Sequence, residues 1–180
     1  MAATEMDTFS EFVKSLAAIP KMIVLDIDYT LWPLHVDTHV TPPFKSDGNG
    51  GAIDHYGQQI TLFKDVRLIL AKLNELGIAL TAASRTEDPP AARQLLHTLA
   101  LDRHFSQLEI FPRKKLAHFK NIKEQSGVDY QDMLFFDDEL RNIRDITQLG
   151  VTCVHVNDDC GLDVATLRQG LQAFSTKRTK

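Results

Sequence analysis

The sequence predicts a doubly wound α/β domain, a parallel five-stranded sheet with helices on both faces, and three observations carry the prediction. Five short apolar runs, at residues 22–28, 78–83, 107–111, 133–136 and 151–156, are near-continuous rather than alternating, as strands covered on both faces must be. The segments between them place apolar residues at helical spacing and are long enough for right-handed crossovers. Three of the runs end in polar or acidic residues: Asp26 and Asp28, then Ser84, then Asp137 and Asp138. Ligands of doubly wound sheets bind outside the carboxyl ends of the strands.

Each element has its own signal. Thr8-x-x-Glu11 reads as a capping box, followed by Phe12, Val13, Leu16 and Ala17 before Pro20, so residues 1–20 form a helical extension ahead of the main domain. The run Met22 to Leu25 delivers Asp26 and Asp28 to its own end. Residues i and i+2 of an extended chain share a side, and two ionised carboxylates that close call for a cation. Residues 32–60 hold Pro33, Pro42, Pro43 and several glycines without sustained periodicity, which predicts an irregular functional loop over the mouth of the site. Val66, Ile69, Leu70, Leu73 and Leu76 mark a helix capped by Gly77, and the second strand runs into Ser84-Arg85-Thr86. Asp88-Pro89-Pro90 opens the next helix with proline in its first turn. Residues 114–126 form another, with Leu116, Phe119 and Ile122 on one side and Gly127 after it. Helices over 140–149 and 162–174 flank the last strand. The main domain covers 21–175, and the basic residues Lys177, Arg178 and Lys180 mark a frayed tail over 176–180.

The 180 residues are 43% hydrophobic and 24% charged, with a net charge of -4, values that suit one globular domain and not a phosphate-tracking nucleic-acid binder. No apolar run approaches the roughly 18 residues of a membrane span. The acidic amino terminus is unlike a secretory leader. Cys153 and Cys160 form neither a Cys-x-x-Cys pair nor a zinc pattern. The expectation is a cytoplasmic, soluble monomer with no nucleic-acid or membrane partner.

At the predicted strand ends, two acid pairs, a hydroxyl and a lysine from Lys114 or Lys115 converge. Oxygen ligands of this kind suit Mg²⁺, which also binds substrate phosphate. With that charge masked, Asp26 can attack phosphorus and form an aspartyl-phosphate, while Asp28 gives a proton to the leaving oxygen and later takes one from water. Ser84 can hold phosphate oxygens and Lys115 can neutralise them.

Asp26-Ile27-Asp28-Tyr29-Thr30-Leu31, Ser84, a later lysine and Asp137-Asp138 resemble the four motifs of the haloacid dehalogenase superfamily. More narrowly, residues 25–44, Ala82-Ala83-Ser84-Arg85-Thr86 and Phe135-Phe136-Asp137-Asp138-Glu139 with Arg141-Asn142 resemble the magnesium-dependent phosphatase 1 family. The resemblance spans about residues 20–174. It implies a member without a cap domain, acting with Mg²⁺ on phosphotyrosine or on sugar phosphates such as fructosamine 6-phosphates, in a phosphoprotein or small-molecule substrate. It assigns Asp26 as nucleophile and Asp28 as acid/base. Lys115 becomes the lysine of the third motif, chosen over Lys114 by its spacing to His118-Phe119. Asp26, Asp28, Asp137 and Asp138 form the metal site, Asp28 through its backbone carbonyl. Ser84, Arg85 and Trp32 are the candidate substrate-binding residues.

Plainer readings stand beside these. Asp137-Asp138 alone equals a helix cap, and Ser84 alone a turn hydroxyl. His35 and His39 need a helical turn to converge on a metal, and Pro33 and Pro42 argue against one. Trp32 also reads as packing, His118 as a residue that orients the third crossover helix, and Asn142 as support for the acids. From another class, a receiver-like phosphoacceptor module would hold Mg²⁺ without turnover. Such modules carry the acceptor after the third strand, whereas here the acids follow strands one and four.

Overall fold

The computed structural model describes residues 2–179, and side chains from Thr8 to Thr179. In chain order the elements are α1 (Ala2–Ser15), β1 (Met22–Leu25), β2 (Lys45–Ser46), β3 (Ala52–Ile53), β4 (Gln59–Ile60), α2 (Val66–Glu75) and β5 (Ala79–Ser84). They continue with α3 (Pro89–Thr98), β6 (Gln107–Ile110), α4 (Lys115–Ser126), β7 (Met133–Asp137), α5 (Leu140–Thr147), β8 (Thr152–His155) and α6 (Val164–Arg178). The main sheet is parallel in the order β6-β5-β1-β7-β8. β1 lies at its centre, where the winding reverses, and Leu25 is level with Ala82 of β5 and Phe136 of β7. The crevice that such a reversal opens is therefore at Asp26, Ser84 and Asp137.

Alternation along each strand builds two cores. Ile23 and Leu25 of β1, with Leu80, Ala82, Leu134 and Phe136, face the helices α1, α2, α3 and α6. Met22 and Val24, with Ala83, Met133 and Phe135, face Phe119 and Ile122 of α4 and Ile146 of α5. Each buried aliphatic or aromatic side chain contributes about 1.5–3 kcal/mol. Close approach fixes some identities: a Cβ on Gly170 of α6 would lie 2.5 Å from Phe136 Cζ, so only glycine lets α6 settle onto β7. Local signals end the helices where expected. The Asp88 side chain caps α3 by accepting from the Ala91 amide at 3.0 Å, and Gly127, at φ 70°, closes α4.

Three expectations are corrected. Thr8 does not cap α1, which already runs from Ala2 and ends at Ser15, so Thr8 and Glu11 lie inside it. The helix is anchored by Phe9 and Val13, both buried in the first core, because that apolar pair gains more from burial than a cap would. Residues 32–60 are not structureless: β2, β3 and β4 form a small antiparallel sheet. Its turns are held by Asp47, which accepts from the amides of Asn49 and Gly51, and by Asp54, which accepts from Thr41, Tyr56 and Gln58. The tail does not fray by residue 176, since α6 continues to Arg178. Lys177 Nζ donates to Gly150 O at 2.8 Å and Arg178 pairs with Asp132 at 2.9 Å, which fixes the last turn. Lys180 lies outside the described residues. Between β1 and β5 the described residues hold the small sheet and α2, without a cap domain, and no described helix is long and apolar enough to cross a membrane.

Candidate active site

Carboxyl ends of β1, β5 and β7 and the amino ends of α4 and α5 enclose a cavity of about 330 Å³. At its floor, oxygens of Asp26, Asp137 and Asp138 lie within 4.8 Å of one another. Lys115, the first residue of α4, is 1% exposed and is the cation among them. Its Nζ donates to Asp26 Oδ1 and to the Ala83 carbonyl, and lies 3.1 Å from Asp137 Oδ2. Lys114, one residue earlier, is exposed, so the geometry selects Lys115.

Charge at this floor is unbalanced. Burial pushes the Asp26 carboxyl well above the usual range, against the pull of Lys115, and Asp137 and Asp138 add to the rise. Burial and then Asp137 push Asp138 up to about 6. Burial alone would lower the ammonium of Lys115, but Asp26 and Asp137 more than offset it and keep the group charged. Asp137 is fully buried and held in place: Asn142 Nδ2 donates to Oδ1 at 3.0 Å and to Oδ2 at 3.1 Å, and the Glu139 amide donates to Oδ1 at 2.8 Å. His155 Nε2 donates to the backbone carbonyl of Asp138 at 2.7 Å. Three carboxylates against one lysine leave an excess that a hard divalent cation would offset, and the all-oxygen donor set fits Mg²⁺.

Asp28 faces the same cavity, but its carboxylate is held apart from the cluster. Trp32 Nε1 donates to Oδ1 at 2.7 Å and the Val36 amide to Oδ2 at 3.3 Å, which frees Asp28 to do something other than bind a cation through its side chain. The turn that carries it is tight: Tyr29 has φ 53°, and its amide donates to Trp32 O at 2.8 Å. Left-handed backbone at a non-glycine residue costs of order 1 kcal/mol and is typical of functional turns. Trp32, expected at the substrate, is instead fully buried and absent from the cavity lining, and its indole N–H orients Asp28. The prolines also misled. His35 and His39 do converge, through a single turn in which the His39 amide donates to His35 O at 3.0 Å, and their rings lie 5.3 Å apart beside Tyr29. His35 Nδ1 is 3.8 Å from Asp28 Oδ2, and that contact raises the imidazole pKa, with Asp37 and Asp138 adding to it. Of the long loop, His35, Asp37 and Thr38 line the cavity, and the small sheet does not.

Ser84, buried at the end of β5, accepts from the Thr86 amide at 3.2 Å, which bends the chain into a turn at the cavity wall. Its carbonyl is clamped by His118. With the ring neutral, Nε2 donates to Ser84 O at 2.8 Å and Phe111 O at 3.0 Å, while the ring stacks on Phe111 at 3.9 Å. Burial and the nearby Lys115 lower this imidazole, against the pull of the backbone carbonyls around it, among them Lys114 O at 3.2 Å from Nδ1. His118 lies one turn after Lys115, so the clamp also seats the amino end of α4. Arg85 lines the cavity with its guanidinium donating to Glu139 Oε2 at 3.3 Å and Asn142 Oδ1 at 3.2 Å. Glu139 is half-buried, yet its bidentate pair with Arg141, at 2.6 and 2.7 Å, and the charge of Arg85 hold its carboxyl low. The sequence singled out neither Glu139 nor His155 as supports of the acid cluster. Asn142 was legible from its one-turn offset to Asp138.

Comparisons with known proteins agree with this arrangement. Residues 18–177 match the family model described as Acid Phosphatase. The chain is 44% identical over 164 residues to human magnesium-dependent phosphatase 1, covering 91% of this chain and 92% of that protein. It is 44% identical over 144 residues to a HAD-like hydrolase superfamily protein of Schizosaccharomyces pombe, covering 74% of this chain and 83% of that one. Among solved structures, the phosphatase-domain part of a Bacteroides fragilis protein complexed with Mg superposes with TM-score 0.65 at 16% identity, over 90% of this chain and 43% of that one. A HAD-superfamily hydrolase from Ehrlichia chaffeensis superposes with TM-score 0.58 at 14% identity, over 90% and 98%.

Proposed function

Because the chain belongs to the acid phosphatase family of the haloacid dehalogenase superfamily, we propose that it is a magnesium-dependent phosphomonoester hydrolase working through an aspartyl-phosphate on Asp26. Its substrates are phosphotyrosine and sugar phosphates such as fructosamine 6-phosphate. The observation that carries the reading is the floor of the cavity, where Asp26, Asp137 and Asp138 meet with Lys115 as countercharge, one strand away from Ser84. Asp26, Asp137, Asp138 and the Asp28 backbone carbonyl are the groups that would hold Mg²⁺. When bound there, the ion would offset the negative charge of the phosphoryl group.

The chain's own groups do the rest. The Ser84 hydroxyl, whose hydrogen is left free to donate, holds a phosphate oxygen, and Lys115 orients Asp26 and pulls it toward its ionised form while neutralising charge that builds on the transferring group. An Asp26 oxygen bonds to phosphorus as the ester P–O bond breaks, and its electron pair leaves with the alcohol oxygen. Asp28, aimed by Trp32 and Val36, gives that oxygen a proton. In the second half, Asp28 takes a proton from water, the water oxygen bonds to phosphorus, and the Asp26–phosphorus bond breaks to release inorganic phosphate. The cavity opens to solvent without a cap, which admits a phosphorylated side chain as readily as a sugar phosphate.

The test is hydrolysis of a phosphotyrosine peptide, a fructosamine 6-phosphate and simple metabolite phosphates by chelator-treated protein into which Mg²⁺ is titrated. Activity should return with the ion and show shallow selectivity. Full turnover in excess chelator overturns the reading. Phosphorylation of Asp26 without turnover restores the receiver-like module in its place.

A further inference from the structure

Residues 35–39 are tied to the molecule on two sides, and both ties reach groups that the reaction uses. On one side the Val36 amide donates to Asp28 Oδ2. On the other, Asp37 Oδ2 accepts from Thr86 Oγ1 at 3.1 Å and from the Glu87 amide at 2.9 Å, across 49 and 50 positions of chain. Thr86 is the residue whose amide donates to Ser84 Oγ, and its hydroxyl also accepts from the amide of Asp88, the cap of α3. Asp37 therefore joins the wall that carries Asp28 to the turn that carries Ser84.

We propose that Asp37 is a positioning residue for phosphoryl transfer: its carboxylate holds residues 35–39 against the 84–87 turn and so fixes the Asp28 carboxyl relative to phosphate held at Ser84. The inference rests on the reading of Asp28 as acid/base. A proton donor works only within hydrogen-bond reach of the leaving oxygen, and a displacement of about 1 Å costs rate steeply. Segment 35–39 belongs to no strand or long helix; the buried Val36 side chain anchors it on the core side, and Asp37 is what holds its other side, so without Asp37 the segment can shift and the Val36 amide that aims Asp28 shifts with it. The Asp26 attack and the phosphate grip do not depend on that amide. The defect must then track how much the leaving group needs a proton.

The experiment compares Asp37→Ala, Asp37→Asn, Thr86→Val and the Asp37→Ala/Thr86→Val double variant in the full-length, Mg²⁺-loaded protein. Each is assayed for kcat and KM on an alkyl phosphate and on para-nitrophenyl phosphate. Asp37→Ala should lower kcat roughly 10-fold on the alkyl ester and less than about 2-fold on the aryl ester, whose leaving group needs little protonation. KM should stay nearly unchanged. Asp37→Asn keeps an oxygen that accepts the same two bonds and should recover most of the loss. The double variant should be no worse than Asp37→Ala. Amide hydrogen exchange on the metal-free protein should speed up in Asp37→Ala at 35–39 and at Glu87, whose amide loses its acceptor, and not at Ser84 or Thr86. Equal losses on both esters, additive losses in the double variant, no rescue by Asn, or unchanged exchange overturn the proposal. Wild-type protein that hydrolyses neither ester refutes the phosphatase reading instead, and the exchange measurement still decides whether Asp37 ties the two segments.

Discussion

The two ends of β1 and β7 carry opposite solutions to the same problem, a buried acid. At the amino end Asp132, 7% exposed, is met by two cations, Lys21 at 2.9 Å and Arg178 at 2.9 Å, while its backbone carbonyl accepts from the Lys21 amide. At the carboxyl end Asp26, Asp137 and Asp138 share Lys115. One acid with two bases is satisfied and structural. Three acids with one base leave repulsion that a retained proton or a further cation relieves, and the fold keeps that arrangement at the point where strand order reverses. The acid count alone does not set the two ends apart; the balance of charge does.

Substitutions should separate the two ends. The largest effect is expected at Asp26: Asp26→Asn should lower kcat by at least about 10⁴-fold, as loss of a nucleophile does. Asp28→Asn should lose about 10²- to 10⁴-fold on alkyl esters and less on para-nitrophenyl phosphate. Steady-state kinetics on both esters decide this, and wild-type-like turnover in both variants would make the acid pair structural. Next in size, Lys115→Met should destabilise the metal-free protein by about 3–5 kcal/mol, because it strands buried carboxylates. Denaturant unfolding in chelator measures it, and Mg²⁺ should restore part of the loss.

A smaller effect concerns pH. The folded state holds the proton of Asp138 up to about pH 6, whereas the unfolded chain releases it near the ordinary carboxylate value. The folded protein therefore binds more protons between these values, and metal-free stability should rise as pH falls from 7 through 6 towards 4. Asp138→Asn should flatten that slope in melting curves taken in chelator, and an unchanged slope would place the excess charge elsewhere. At the other end, Asp132→Ala should cost only about 1 kcal/mol, since Lys21 and Arg178 return to solvent, and kcat should not change. A large loss of activity there would mean the two ends are coupled.

Much of the fold was legible because it rests on patterns that repeat along the chain. Near-continuous apolar strands announced a sheet covered on both faces, and all five strands lie where those runs do. Asp88-Pro89-Pro90 and Gly127 marked helix ends through chemistry that acts within a few residues. Thr8-x-x-Glu11 has the same local form, yet Phe9 and Val13 found a buried place that extended α1 past it. Pro33 and Pro42 flank the turn at 35–39 without preventing it, since one turn needs no continuous ladder. Trp32, directly after the motif, read both as packing and as a substrate contact, and the fold takes the packing role: an aromatic next to a turn is drawn inward when its N–H finds a carboxylate, here that of Asp28.

By itself the sequence determined the strands, the crossovers, the residues at the strand ends and the oxygen-rich chemistry they imply, because strand period, caps and motif spacing act over short separations. Tertiary structure alone decided the rest. It buried Lys115, which motif spacing had already favoured over the exposed Lys114, it turned the Asp28 carboxylate to Trp32 and Val36, and it brought Asp37 to Thr86 across 49 positions. Such pairings depend on where the sheet and its helices place distant backbone, and no local pattern encodes that distance.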